Sequence, residues 1–396
     1  MDGIHIAFVT IPHSPHVNPT IPIAAALVRR GYRVSYVTSE RFSQSVANSG
    51  AMLVPCRKLL QENLAGEQSA QKEPSEIGFN YYAAQMLGDI TPFLEKNKPN
   101  LILYDSLAFA GRILAQRWKI PAVQTSPVYA FDKSDFEGQL KHAGLREIAV
   151  EHVRNVRLFL QRYDVTSSNY LADKEKLNIY LFPSVLQPNR SAFDDRCFFA
   201  GRCAAERKSA GHWQENTDGR PVALISMSTL LSSWGRQAEI PEYYRMCIDT
   251  LPGLGWHVVL AIGENCKAGS LMPLPAHCEI IQHTSYLKAL SHAKLLVFMS
   301  GTVSTAEAAY YGVPMIVMSE GVSEYEWQAD HLAEVGIGIH IRKADTNPKG
   351  IRTAAIQLLE DEVMRRRVKE IQRAVSREPG ADDAANRIEE YLEESG

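Results

Sequence analysis

Cysteine is scarce in this chain: six among 396 residues, at Cys56, Cys197, Cys203, Cys247, Cys266 and Cys278. None forms a CxxC pair and no Cys/His cluster has zinc-ligand spacing, so no metal site is expected. So few cysteines in so long a chain exclude a disulfide framework. They predict buried thiols in a reducing compartment. An excess of charge is also missing. Forty-two Lys and Arg face 45 Asp and Glu, a net −3. Without a basic stripe or tail, no nucleic-acid partner is expected. No apolar run approaches the roughly 20 residues that span a bilayer. The opening MDGIHIAFVTIP has no basic stretch before its apolar residues, so it reads as a first strand rather than a signal peptide. A cytoplasmic protein without a membrane span is the expectation. Low-complexity segments and short repeats are absent as well.

What is present is alternation. The length suggests two domains of roughly 150–200 residues. Apolar runs at 4–11, 33–39, 100–106 and 120–127 read as strands, and 19–31 and 108–118 as helices between them. Residues 134–180 are helix-rich, and 178–184 and 197–201 close the first half. The pattern restarts with strands at 221–228, 256–263, 278–283, 294–300, 314–319 and 337–342, helices at 239–251, 304–312 and 324–336, and forty final helical residues. This predicts an α/β protein of two tandem Rossmann-like, doubly wound domains facing across a cleft. The expected boundaries are a first domain over 1–205, a linker over 206–220 and a second domain over 221–375. A last helix over 376–396 is expected to pack back on the first domain.

The loop after the first strand, TIPHSPHVNPTIP, carries His13 and His16, and Asp105 ends the strand LILYD. Ligands of open α/β sheets bind at such strand ends. A hydroxyl nucleophile needs a base near neutral pH, which a histidine supplies, and a carboxylate behind the ring fixes its tautomer. The competing reading makes His16 and Asp105 caps of the helices that follow them.

The segment HIAFVTIPHSPHVNPTIPIAAALVRRGYRVSYVTS resembles the opening of the macrolide-type, family 1 glycosyltransferases of the GT-B fold, which carry an HGHVNP loop there. LILYDSLAFAGRILAQRWKIPAVQTSP, CFFAG and AAYYGVPMIVMS extend the resemblance over nearly the whole chain. It implies an acceptor-binding first domain and a second domain for a nucleoside-diphosphate (NDP) sugar, a UDP- or TDP-sugar. No tightly bound cofactor is implied. It makes His16, in His16-Val17-Asn18-Pro19, the base and Asp105 its support. His13 falls one position before the family histidine and is expected to be an acceptor-site or structural residue.

The family's diphosphate and ribose motif, HxGxNSTxEA, matches Met299 to Glu307. Gly301, Ser304, Thr305 and Glu307 are kept, and Thr229 and Glu324 fall at further donor positions. Its histidine and asparagine are Met299 and Val303, and a thioether cannot donate a hydrogen bond to phosphate. Ser228 replaces a glycine, His283 the base-stacking tryptophan, Tyr286 a glutamine and Tyr325 the sugar-reading glutamine. The leading expectation is an inverting, metal-independent glycosyltransferase with a hydrophobic natural-product acceptor such as a polyketide or polyphenol. The substitutions keep two alternatives open: elimination, dehydration or cyclisation chemistry on such a molecule, or a non-catalytic binder. Phe79, Tyr82, Met86, Tyr129 and Phe131 are candidates to line the acceptor cleft, beside the reading of such aromatics as core. A monomer or homodimer is expected.

Overall fold

The computed structural model describes residues 3–56, 79–132, 146–167, 169–170, 172–207, 211, 213–214, 218–227, 236–263, 266–319, 321 and 323–395. The described residues form two compact units, 3–207 together with 378–395, and 211–377.

The first unit is built on seven parallel strands: β1 (His5–Val9), β2 (Arg33–Thr38), β3 (Met52–Pro55), β4 (Leu101–Asp105), β5 (Ala122–Ser126), β6 (Leu177–Tyr180) and β7 (Cys197–Phe199). Their order is β3-β2-β1-β4-β5-β6-β7. β1, β4 and β5 are buried along their whole length, as parallel strands are when helices cover both faces. Successive side chains point to opposite faces. Ile6, Phe8, Leu101 and Leu103 therefore join one core with the helices Ile21–Arg29 and Ala381–Ser395. Ala7, Val9, Ile102 and Tyr104 join another with the helices Phe79–Lys96 and Phe109–Trp118. Gly111 lets the latter helix approach the sheet, since a Cβ there would run into Tyr104 and crowd Val9.

The second unit has six parallel strands: β8 (Val222–Ser226), β9 (His257–Ile262), β10 (Cys278–Gln282), β11 (Leu295–Met299), β12 (Met315–Met318) and β13 (Gly338–Ile341). The order is β10-β9-β8-β11-β12-β13. Chain direction across each sheet reverses at one place, between β1 and β4 and between β8 and β11. That is where open α/β sheets bind ligands, outside the strand carboxyl ends.

Two elements differ from expectation. The helix expected over 19–31 spans Ile21–Arg29, and a single turn not expected, Ser14–Val17, precedes it. Each has a proline as its second residue, Pro15 and Pro22, tolerated in a first turn where no amide hydrogen is needed. The terminal helical stretch is three helices, Pro348–Glu360, Glu362–Val375 and Ala381–Ser395. Asp361 ends the first and caps the second, its carboxylate accepting the Met364 amide at 2.7 Å. No helix among the described residues is long and apolar enough to cross a membrane.

Candidate active site

β1 delivers the chain to the reversal point of the first sheet. His13 caps the turn Ser14–Val17, its carbonyl accepting the His16 and Val17 amides at 2.9 and 3.0 Å. The turn is held from below. Thr20 Oγ1 donates to the Val17 carbonyl at 2.8 Å and accepts from the Tyr36 hydroxyl at 2.5 Å. Burial raises the Tyr36 phenol above its ordinary value, so it stays a donor.

On that turn, His16 Nδ1 lies 2.7 Å from Asp105 Oδ2, at the end of the neighbouring strand β4. Asp105 is fully buried and the His16 side chain is 12 % exposed. The other oxygen, Oδ1, accepts the Leu107 amide at 2.9 Å. A carboxylate only accepts, so it requires the proton on Nδ1 and leaves the Nε2 lone pair available. No hydrogen bond among the described residues occupies Nε2. Chemically this is a base with a fixed tautomer and a partner for the cation that forms when it takes a proton.

His13 is different. Burial first, then the nearby His16 and Arg41, press its pKa down to about 4, with Asp105 opposing. Its ring meets Tyr82 edge-on, 5.8 Å between centroids. Arg41, which donates to the Pro12 carbonyl and lies over Phe42, adds positive charge beside this loop. Arg41 follows β2, and only the pairing of β1 with β2 brings it here; no motif in the sequence marks it.

Of the other expected acceptor residues, Met86 is fully enclosed in the core that contains Val9 and Tyr104. Tyr129, packed 4.3 Å from the Phe182 ring, and Phe131 are also buried. Phe79 opens the helix Phe79–Lys96; its side chain lies outside what is described.

In the second unit, β11 ends at Met299 and Gly301 caps the helix Thr302–Tyr311, its carbonyl accepting the Thr305 amide at 3.0 Å. Gly301 is extended and has open space around it, so a side chain would fit there. Ser304 is half-buried, while Thr305 and Glu307 are buried. Met299 and Val303 are buried too and present apolar surface where the family has an imidazole and an amide. Tyr286 is among the most deeply buried side chains and Tyr325 is half-buried. The His283 and Glu324 side chains, and Ser228 and Thr229 altogether, lie outside the described residues. Among the described residues no group of three or more His, Cys, Asp or Glu side chains is placed to hold a metal.

Comparison with known proteins extends over the whole chain. Residues 245–391 match the model of the erythromycin biosynthesis protein CIII-like C-terminal domain. The chain is 31 % identical to the NDP-glycosyltransferase YjiC of Bacillus licheniformis, over 99 % of this chain and 98 % of that one. It is 28 % identical to the oleandomycin glycosyltransferase of Streptomyces antibioticus, over 98 % and 91 %. The crystal structure of the calicheamicin glycosyltransferase CalG4 shares the fold with a TM-score of 0.79 and 28 % identity, covering 99 % of each chain. The substituted donor positions thus belong to an enzyme that transfers sugars. The chain belongs to the macrolide-type, family 1 glycosyltransferases of the GT-B fold.

Proposed function

We propose that the enzyme moves a sugar from a UDP- or TDP-sugar to a hydroxyl of a hydrophobic natural product, with inversion and without a metal. The observation that carries this is the His16–Asp105 contact at 2.7 Å, with the carboxylate buried and Nε2 without a hydrogen bond among the described residues. His16 takes the acceptor proton as the oxygen attacks the anomeric carbon. The C–O bond to the diphosphate breaks on the opposite side, and its electron pair leaves with the NDP. Asp105 stabilises the imidazolium meanwhile. On the donor side, the amides at the start of the helix Thr302–Tyr311 face the diphosphate and Glu307 takes the ribose hydroxyls. That helix start, with Ser304, balances the leaving-group charge in place of the missing histidine. The relatives named for oleandomycin and for calicheamicin support a polyketide-like acceptor.

The stereochemistry tests the reading. Incubated with an α-linked UDP- or TDP-glucose and a polyphenol or macrolide aglycone, the enzyme should form a glycoside whose anomeric proton shows the β configuration by NMR. An α-glycoside would rule out single displacement by a deprotonated acceptor.

A further inference from the structure

A second polar chain, buried at its serine and its imidazole and reaching the surface at its carboxylate, lies in the second unit, away from His16. Ser319 follows β12, His340 is on β13, and Asp330 is on the helix Ser323–Val335. His340 Nδ1 lies 2.7 Å from Asp330 Oδ1, and Nε2 lies 2.8 Å from Ser319 Oγ. The carboxylate assigns the proton to Nδ1, so the neutral ring accepts the Ser319 hydroxyl at Nε2. Arg342 grips both oxygens of Asp330 at 2.8 and 3.0 Å. Burial alone would raise the Asp330 carboxyl, but His340 and Arg342 hold it below its ordinary value.

The order Ser–His–Asp is that of a hydrolase relay, but Ser319 is only 2 % exposed and has no access to a substrate. The chain is a tether. Asp330 sits on the helix whose first turn carries Glu324 and Tyr325. A second tether holds that helix to the adjacent strand end. Ser300, just past β11, donates from Oγ to Gln328 Oε1 at 3.2 Å in a buried contact. The Ser300 amide in turn donates to the Met318 carbonyl at 3.0 Å, joining the two strand ends. Two residues of one helix, Gln328 and Asp330, are therefore pinned to the carboxyl ends of β11 and β12. That fixes where the first turn of the helix stands relative to Gly301 and the helix Thr302–Tyr311.

We infer that His340 and Ser319 are positioning residues for the donor sugar: they hold the helix Ser323–Val335 so that its first turn meets the sugar rather than the nucleotide. This rests on the donor assignment proposed above. A buried imidazole satisfied at both nitrogens makes a stiff link, and deleting either end leaves a buried polar group unpaired.

The test uses the full chain with Ser319→Ala and His340→Leu. Steady-state kinetics with UDP-glucose and TDP-glucose are compared with calorimetric Kd values for UDP and TDP alone. The KM for the NDP-glucose should rise about three- to tenfold in each variant, the scale of one lost hydrogen bond. Affinity for the NDP and the pH profile of kcat should stay as in the native enzyme. If His340→Leu does not fold, Ser319→Ala, which deletes one hydroxyl, carries the test. A folded Ser319→Ala enzyme with native KM for the NDP-glucose would overturn the inference. So would an equal loss of affinity for NDP and NDP-glucose, the mark of a merely structural role. A native chain that binds neither UDP- nor TDP-glucose would sink the donor assignment itself, and this tether's role with it, before any variant is made.

Discussion

His13 and His16 sit three residues apart, yet only His16 has a carboxylate against its ring. His13 is enclosed, edge-on to Tyr82, with the Arg41 guanidinium nearby, so its charged form is disfavoured. Its pKa falls from 6.5 to about 4, and the sign of the consequence follows. The unfolded chain binds a proton at this ring before the folded one does. Stability is therefore complete above pH 6.5 and is lost as pH falls toward 4. Discounted for partial solvent screening, the loss should reach about 1–2 kcal/mol by pH 5. Urea midpoints of native enzyme and His13→Asn, measured from pH 7.5 down to 5, should diverge, the native enzyme falling more steeply. Parallel curves would mean that His13 is not held neutral. The same neutrality suits His13 to hydrogen-bonding an acceptor and unsuits it as a second base.

At the scale of elements, the return of the chain to its first unit turns on a carboxylate that gathers three donors. Glu378, just before the helix Ala381–Ser395, accepts the Ser184 amide at 3.0 Å, the Ser184 hydroxyl at 2.9 Å and the Val185 amide at 3.0 Å. Gly201 packs against it where a Cβ would collide. Beyond it, Ala384, Ala385, Ile388 and Tyr391 complete the core shared with β1 and the helix Ile21–Arg29. Glu378→Ala should cost about 2–3 kcal/mol, because it strands three partly buried donors. A stability within about 0.5 kcal/mol of native would show that the apolar face and the other polar anchors of the helix, Glu206 on the Ala381 amide and Arg30 on Asn386, hold it without Glu378. Elements of this kind separate what the sequence discloses from what it conceals. All the strands but the partly exposed β3 stand out as apolar runs in the sequence, the central ones because they are buried on both faces. The helix Phe79–Lys96 does not, since Gly88 and Pro92 interrupt its pattern, and Pro92 is accommodated inside it all the same. His16 and Asp105 were legible because both lie at strand ends and a family motif marks one of them. Ser319, Asp330 and His340 were not. They are 11, 10 and 21 residues apart, and only the pairing of β12 with β13 brings them together.

At the scale of the whole molecule, the two units repeat one plan. In each, the strand order reverses beside the first strand of the unit, between β1 and β4 and between β8 and β11. In the first unit the loop after β1 and the end of β4 supply His16 and Asp105. In the second, the loop after β8 begins at Met227, whose amide is anchored to the Tyr244 hydroxyl at 3.2 Å, and β11 ends at Met299 before Gly301. One unit has kept its histidine–aspartate pair and the other has exchanged family polar groups for Met299 and Val303. The proposed chemistry follows this division: proton transfer depends on named side chains of the first unit, donor binding more on backbone amides of the second. The measurement that bears most directly on the account is the rate of glycoside formation by His16→Ala at saturating UDP- or TDP-glucose. The account predicts a fall of about 10²- to 10⁴-fold, the range for loss of a general base. A variant that turns over within a few-fold of the native enzyme would contradict it.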